Sequence, residues 1–155
     1  MPLRSTPTDV LGRQSVPAAP RLTAQQWRLA ACAVATMAAC SRAIIIDRGD
    51  LSRQVPIELI PFIQRRIISA ARVLSTPVYV ATNLLESMCV SPYPTRAEAN
   101  DIVSTLLMGA DGLVLAAETA VGAFPVETVR TLAKIIGHCQ KWSENTTISE
   151  VLAMR

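Results

Sequence analysis

Residues 43–51, AIIIDRGDL, join a short apolar run to a cluster of charged residues. The four apolar residues, three of them β-branched, favour a strand that is buried on both faces, as in a parallel sheet. Arg48, Gly49 and Asp50 follow directly after the predicted strand. Because ligands of α/β folds lie at the carboxyl ends of strands, Gly49 and Asp50 are candidate site residues. Gly-Asp after a strand is also ordinary turn chemistry, so this stretch alone leaves a plain turn open.

The strand–helix pattern is repeated along the chain. Residues 56–74 carry apolar side chains at helical spacing, with Pro61 either kinking the helix or marking the start of its regular part. A second apolar strand follows at residues 78–81, and a third at residues 112–115. Alternation of strands with helices predicts a parallel sheet with right-handed crossovers. The predicted fold class is therefore α/β: a partial (β/α)8 TIM barrel of three consecutive βα units with parallel strands.

Two further helices are predicted from local signals. Thr95 and Glu98 have the spacing of a capping box, which predicts a helix that closes at Gly109. Its inward-facing residues would be Ile102, Val103, Leu106 and Leu107. Pro125 predicts the start of the last helix. The apolar stripe of that helix comprises Val126, Val129, Leu132, Ile135 and Ile136.

Composition limits the classes to which the chain can belong. Of its 155 residues, 50% are hydrophobic and 17% are charged, as expected of one domain with a real core. The net charge of +3 comes from arginines that are scattered along the chain, which argues against a nucleic-acid partner. The four cysteines form no CxxC pair, which favours free thiols and a cytoplasmic location.

The predicted folded region begins after residue 41. Residues 1–41 are unassigned: their Pro-, Ser-, Thr- and Arg-rich part resembles a transit peptide or a linker, and a short apolar helix is predicted at residues 29–40. We interpret residues 29–40 as a helix that packs on the barrel, rather than as the apolar core of a signal peptide. Because a bilayer span needs about 20 apolar residues, no membrane partner is expected. Residues 42–142 form the predicted barrel region, and residues 143–155 a C-terminal tail.

Four motifs are similar in order and spacing to those of the pyruvate kinase family. They are RGDL at residues 48–51, ATNLLESM at residues 81–88, PTRAE at residues 94–98 and ETA at residues 118–120. The resemblance extends over residues 44–142 and implies that this region corresponds to the last three units of the family's barrel. The implied reaction is phosphoryl transfer from phosphoenolpyruvate to ADP, giving pyruvate and ATP in glycolysis, with Mg²⁺ and K⁺ as cofactors.

The resemblance also implies roles for individual residues. Asp50 resembles the aspartate that helps to hold the catalytic Mg²⁺. The backbone N–H groups at Gly49 and Asp50 resemble those that bind the substrate carboxylate at a helix start. Thr82 resembles the threonine that lines the substrate pocket and assists proton delivery, which makes it the candidate catalytic residue. Arg48 and Glu118 are further candidates; Glu118 resembles a glutamate in a loop near the active centre.

The chain departs from the family's pattern at several catalytic positions. The family carries Lys-Ile-Glu on the preceding strand, whereas residues 20–40 contain no lysine and no acidic residue. The only lysines, Lys134 and Lys141, lie on the predicted last helix. The family's K⁺ site lies in earlier strands and has no counterpart here. Further replacements are Asn83 for a usual glutamine, Ala116 and Ala117 for Ser-Gly, and Val121 for a usual lysine.

Two functions therefore stay open. One is a pyruvate kinase-like phosphotransferase with an incomplete active site. The other is a non-catalytic truncated barrel that acts as an interaction module or as part of a larger fusion. Because three βα units expose two sheet edges, self-association or a covering partner is predicted in either case.

Overall fold

A three-stranded parallel sheet forms the centre of the fold. The computed structural model describes residues 33, 36–143 and 145–153. The strand order is β1–β2–β3, and the strands are β1 (Ile44–Asp47), β2 (Val78–Ala81) and β3 (Gly112–Val114). In the register, Ile46 lies beside Val80, and Val80 beside Leu113. The predicted α/β fold with parallel strands is confirmed.

Helices connect and follow these strands. Two predictions about helix starts are confirmed. Pro61 lies in the first turn of its helix and marks the start of the regular part, and Thr95 and Glu98 form a reciprocal capping box. Short 3₁₀ helices occupy Ile57–Leu59 and Glu86–Cys89. The α-helices are α1 (Arg48–Gln54), α2 (Ile60–Val73), α3 (Arg96–Leu107), α4 (Ala117–Ala120), α5 (Pro125–Lys141) and α6 (Ile148–Ala153).

The core lies between one face of the sheet and the helices. Ile46, Val78 and Val80 of the sheet pack with Ile68 and Ala71 of α2 in one buried cluster. A second cluster joins the segment after β2 to α3 and α5 and comprises Leu84, Leu85, Met88, Ile102 and Leu132. The second cluster anchors the connection that follows β2, which is where the candidate site lies.

The prediction that β1 is buried on both faces is wrong. Ile45 is 64% exposed, although its neighbour Ile46 is 4% exposed. Tyr79 and Val114, on the other two strands, are each 37% exposed. The reason is that side chains alternate along a strand and, within the described residues, the helices cover only one face. On the exposed face the Tyr79 ring lies across Gly112, where an added Cβ would come within 2.5 Å of it.

Three side chains that were predicted to face inward are exposed. Leu107 of α3 is 51% exposed, and Val126 and Val129 of α5 are 59% and 52% exposed. Helices α3 and α5 pack against each other, and the faces that they bury carry Ile102 and Leu132. Leu107 and the two valines therefore point away from that contact.

The described part of the N-terminal segment is short. Residues 36–40 are helical, and Ala38 is 1% exposed within the first core cluster. The Thr76 hydroxyl donates to the Ala38 carbonyl oxygen at 2.8 Å, which ties this turn to the connection between α2 and β2. Most of the unassigned segment of residues 1–41 lies outside the described residues. Among the residues that are described, no helix has both the length and the apolar character to cross a bilayer.

Candidate functional site

The predicted site residues meet at the carboxyl edge of the sheet. Asp47 ends β1 beside Ala81, which ends β2. The chain passes directly from β1 into α1, so Arg48, Gly49 and Asp50 form the first turn of a helix. Thr82 follows β2 and faces that turn. Parallel strands end at the same edge, and this explains why residues more than thirty positions apart are neighbours here.

Two backbone N–H groups and one hydroxyl group surround a single carboxylate oxygen at this edge. The N–H groups of Gly49 and Asp50 donate to Asp47 Oδ1 at 2.9 and 3.2 Å. Thr82 Oγ1 lies 3.1 Å from the same oxygen and 2.6 Å from the Ala81 carbonyl oxygen, so these two acceptors share the single proton of the hydroxyl. Gly49 N–H also donates to Thr82 Oγ1 at 2.8 Å. We call these three groups, Gly49 N–H, Asp50 N–H and the Thr82 hydroxyl, the carboxylate cradle. In the structure, the side chain of Asp47 fills it as the N-cap of α1.

The sequence analysis did not identify Asp47 as a site residue. A signal was present, because aspartate directly before a helix is a preferred N-cap. The resemblance implied a helix start near Gly49, but the extent of the helix was not predicted, since residues 48–54 carry no clear apolar period. The structure brings two of the three predicted substrate-binding residues, Gly49 and Thr82, into direct contact.

Asp50 points away from the cradle. Its side chain is 74% exposed, and its Oδ1 lies 3.5 Å from Arg53 Nη1. Among the described residues, no group of three or more His, Cys, Asp or Glu side chains is arranged to hold a metal ion. In the described part of the chain, Asp50 is thus not grouped with two further side chains of these types. Asp50 offers one carboxylate to a metal site.

Arg48 is fully engaged by groups of the protein. Its Nε and Nη2 donate to the Thr82 carbonyl oxygen at 3.1 and 2.8 Å, and Nη2 also donates to the Asn83 carbonyl oxygen at 3.0 Å. Its Nη1 forms an ion pair with Asp101 of α3. The Arg48 side chain is 13% exposed, and its guanidinium contacts the backbone after β2 and Asp101.

Glu118 is a buried carboxylate that binds backbone amides. It is 1% exposed, its Oε1 accepts from the N–H groups of Leu84 and Leu85 at 3.2 and 3.1 Å, and its Oε2 accepts from Ala116 N–H at 2.8 Å. Burial raises the pKa of this carboxyl. Hydrogen bonds from backbone N–H groups outweigh burial, so the pKa lies below the ordinary value of 4.5. Glu118 thus links the end of β3 to the segment after β2.

We expect Glu118→Gln to reduce the acid sensitivity of the fold. Because the folded pKa of Glu118 lies below 4.5, its carboxylate contributes stability that is fully present above that pH and is lost as the pH falls through the folded pKa. The variant should be less stable than the wild type at neutral pH and should lose less stability on acidification. Urea unfolding midpoints measured at neutral pH and below 4.5 test this. Equal losses for both proteins would mean that Glu118 is not ionised in the fold.

An open groove borders the site on the outer side of β1. Its volume is about 470 Å³, and its lining includes Asp47, Asp50 and Arg53 at the carboxyl edge and Ile45 and Leu51 along its length. Neither lysine lines it: Lys134 and Lys141 are exposed on the second half of α5. The arrangement can bind a carboxylate, but it holds no lysine that would neutralise a phosphoryl group.

Comparison with known proteins identifies the family to which these features belong. The family model described as "Pyruvate kinase, barrel domain" matches residues 32–129. The chain is 46% identical over 101 residues to pyruvate kinase of Thermotoga maritima, which covers 65% of this chain and 22% of that protein. It is 47% identical over 94 residues to pyruvate kinase of Mycobacterium tuberculosis, covering 61% and 20%.

Solved structures give the same result. The crystal structure of pyruvate kinase from Pyrobaculum aerophilum matches with a TM-score of 0.67 at 40% identity, over 70% of this chain and 26% of that one. A pyruvate kinase from Cryptosporidium parvum matches with a TM-score of 0.68 at 37% identity, over 70% and 22%. The chain thus spans about a fifth of the length of the curated relatives that it matches. With four motifs, the parallel sheet and these matches in agreement, the chain belongs to the pyruvate kinase family.

Proposed function

We propose that this chain carries the carboxylate-binding edge of a phosphoenolpyruvate site and contributes one part of a phosphotransferase that uses phosphoenolpyruvate and ADP. The observation that carries the proposal is the convergence of two backbone N–H donors and the Thr82 hydroxyl on a single carboxylate oxygen, that of Asp47. Backbone N–H groups at a helix start and a hydroxyl are the donors that bind a substrate carboxylate. The same geometry would accept the carboxylate of phosphoenolpyruvate once Asp47 moves aside.

The three predicted binding residues, Gly49, Asp50 and Thr82, each have a role in this proposal. Gly49 and Asp50 supply backbone N–H groups, and Gly49 fits because an added Cβ would lie 3.2 Å from Asp47 Oδ1 and 3.5 Å from Thr82 Oγ1. Thr82 supplies the hydroxyl that lines the cradle and would assist proton delivery. Asp50 offers one of the oxygen ligands that Mg²⁺ requires, and the remaining ligands must come from elsewhere. K⁺ and a cytoplasmic location are expected from the family.

A Mg²⁺ titration tests the role of Asp50. In calorimetry with phosphoenolpyruvate present, the wild-type chain is expected to bind Mg²⁺ with a Kd of roughly 1 mM or weaker, because one carboxylate makes an incomplete site. Asp50→Ala should abolish the binding that is seen. Glu58→Gln is the matched control, since Glu58 is an exposed carboxylate in the 3₁₀ helix Ile57–Leu59, outside the site. Micromolar affinity that Asp50→Ala leaves unchanged would place the metal at other residues.

A second candidate function is a non-catalytic interaction module. The uncovered sheet face favours it: Ile45 is 64% exposed, Tyr79 and Val114 are 37% exposed, and strands with open edges pair readily with other chains. Light scattering of the chain at increasing concentration, for the wild type and for Ile45→Lys, tests this candidate. Self-association that Ile45→Lys reduces would support it. A concentration-independent monomer would contradict the predicted self-association.

A further inference from the structure

The backbone of residues 82–85 is held from two sides by oppositely charged side chains. Arg48, at the start of α1, donates to the carbonyl oxygens of Thr82 and Asn83. Glu118, in α4 beyond the end of β3, accepts from the N–H groups of Leu84 and Leu85. The guanidinium group therefore binds two successive carbonyl oxygens, and the carboxylate group binds the N–H groups of the next two residues. The arrangement ties the ends of all three strands to one short segment.

This segment has a backbone conformation that needs external support. Thr82 and Asn83 have φ angles of +70° and +54°, in the left-handed region. For a β-branched residue such as threonine this region is rare, and the conformation is strained unless the surroundings of the residue compensate. The hydrogen bonds from Arg48 and Glu118 act on the two strained residues and on the two that follow. They are thus placed to supply that compensation.

The strained conformation determines where the Thr82 hydroxyl lies. At the point where β2 ends, the turn of the backbone leaves Thr82 Oγ1 2.8 Å from Gly49 N and 3.1 Å from Asp47 Oδ1. An extended continuation of β2 would carry the side chain along the sheet, away from the start of α1. The position of the Thr82 hydroxyl in the carboxylate cradle therefore depends on the backbone conformation of residues 82 and 83.

We propose that Arg48 and Glu118 are positioning residues that act as a pair on residues 82–85 and so fix the Thr82 hydroxyl in the carboxylate cradle. Neither side chain touches the cradle oxygen, and neither is free to bind a ligand. All three guanidinium nitrogens of Arg48 donate to protein oxygens, and both oxygens of Glu118 accept backbone N–H groups. The ligand-binding consequence rests on the proposed function, whereas the conformational consequence does not.

Amide hydrogen exchange in the full chain tests the conformational role. Arg48→Lys keeps the charge but cannot reproduce the fork of donors. Glu118→Gln places an N–H₂ group against buried amide donors. Each variant should raise exchange at Gly49, Leu84 and Leu85 by about tenfold relative to the amides of β2. Arg48→Lys should do so at Leu84 and Leu85 although their direct partner, Glu118, is intact.

Glu98→Gln is the matched control. Glu98 also accepts backbone N–H groups, from Ser87 and Thr95, but it makes no hydrogen bond to residues 82–85. The Glu98→Gln variant should have a lower global stability, but the ratio of the exchange rates at the amides of Gly49, Leu84 and Leu85 to those of the β2 amides should not change. If Arg48→Lys leaves the ratio at Leu84 and Leu85 unchanged, or if Glu98→Gln changes it equally, the positioning role is wrong. If Glu118→Gln does not fold, Arg48→Lys alone decides the question.

A parallel titration with phosphoenolpyruvate separates this inference from the proposed function. If the site amides respond as expected but neither the wild type nor Asp47→Ala binds phosphoenolpyruvate, the proposed function fails and the positioning role stands. If phosphoenolpyruvate binds and the exchange ratios do not change in the variants, the positioning role fails and the proposed function stands. If both hold, Arg48→Lys should also weaken phosphoenolpyruvate binding, while Glu98→Gln should not.

Discussion

Supplied with phosphoenolpyruvate, ADP, Mg²⁺ and K⁺, this chain on its own is expected to form pyruvate at least ~100-fold more slowly than the full-length Thermotoga maritima relative. The physical reason is the loss of charge stabilisation in the transition state. The only lysines of the chain, Lys134 and Lys141, lie exposed on α5. Since phosphoryl transfer relies on positioning and on neutralisation of charge, removing one such group typically costs about 10²–10³ in kcat.

A coupled assay of pyruvate formation measures this rate. The background that arises from pyruvate kinase of the expression host must be known, and a Thr82→Ala, Asp50→Ala double variant purified in the same way provides it. Turnover of the wild-type chain at the level of this double variant is the expected outcome. A wild-type rate within about a hundredfold of the Thermotoga maritima enzyme, and well above the double variant, would contradict the prediction of an incomplete site.

Asp47→Ala is expected to tighten the binding of phosphoenolpyruvate by at least ~10-fold. In the wild type a ligand carboxylate must displace the Asp47 carboxylate that fills the cradle, whereas in the variant the cradle is free. Hydrogen bonds to a charged acceptor contribute about 1.5–3 kcal/mol each, so even one donor set free would give such an increase. The same substitution removes the N-cap of α1, which should lower the free energy of unfolding by about 1 kcal/mol. Binding and stability should thus change in opposite directions.

Asp47→Asn separates occupancy of the cradle from charge repulsion. Asparagine is as good an N-cap as aspartate, so its amide oxygen should keep the cradle filled while the negative charge is gone. Calorimetry with phosphoenolpyruvate, and with oxalate as a smaller carboxylate, should show the increase in affinity for Asp47→Ala and little of it for Asp47→Asn. An equal increase in both variants would assign the effect to repulsion, and no increase in either would remove the cradle from the proposed site.

Local structure and family membership were predictable because their signals lie within short stretches. The helical spacing in residues 56–74, the reciprocal pair Thr95 and Glu98, and the apolar runs at the three strands each depend on neighbours a few positions away. The four motifs that resemble pyruvate kinases are equally local. These features determined the parallel α/β fold, and with it the edge at which Gly49, Asp50 and Thr82 lie.

The state of the site was decided only by the tertiary structure. Asp47 beside Thr82, Arg48 on the carbonyls after β2, and Glu118 under Leu84 and Leu85 are contacts between residues that lie more than thirty positions apart. They depend on strand register and on the left-handed turn at Thr82, which no spacing in the sequence encodes. The prediction that β1 is buried on both faces was wrong for a similar reason. What covers Ile45 depends on the arrangement of other segments of the chain. The sequence by itself determined which groups meet at the sheet edge, and the packing determined that a protein carboxylate already fills the cradle they form.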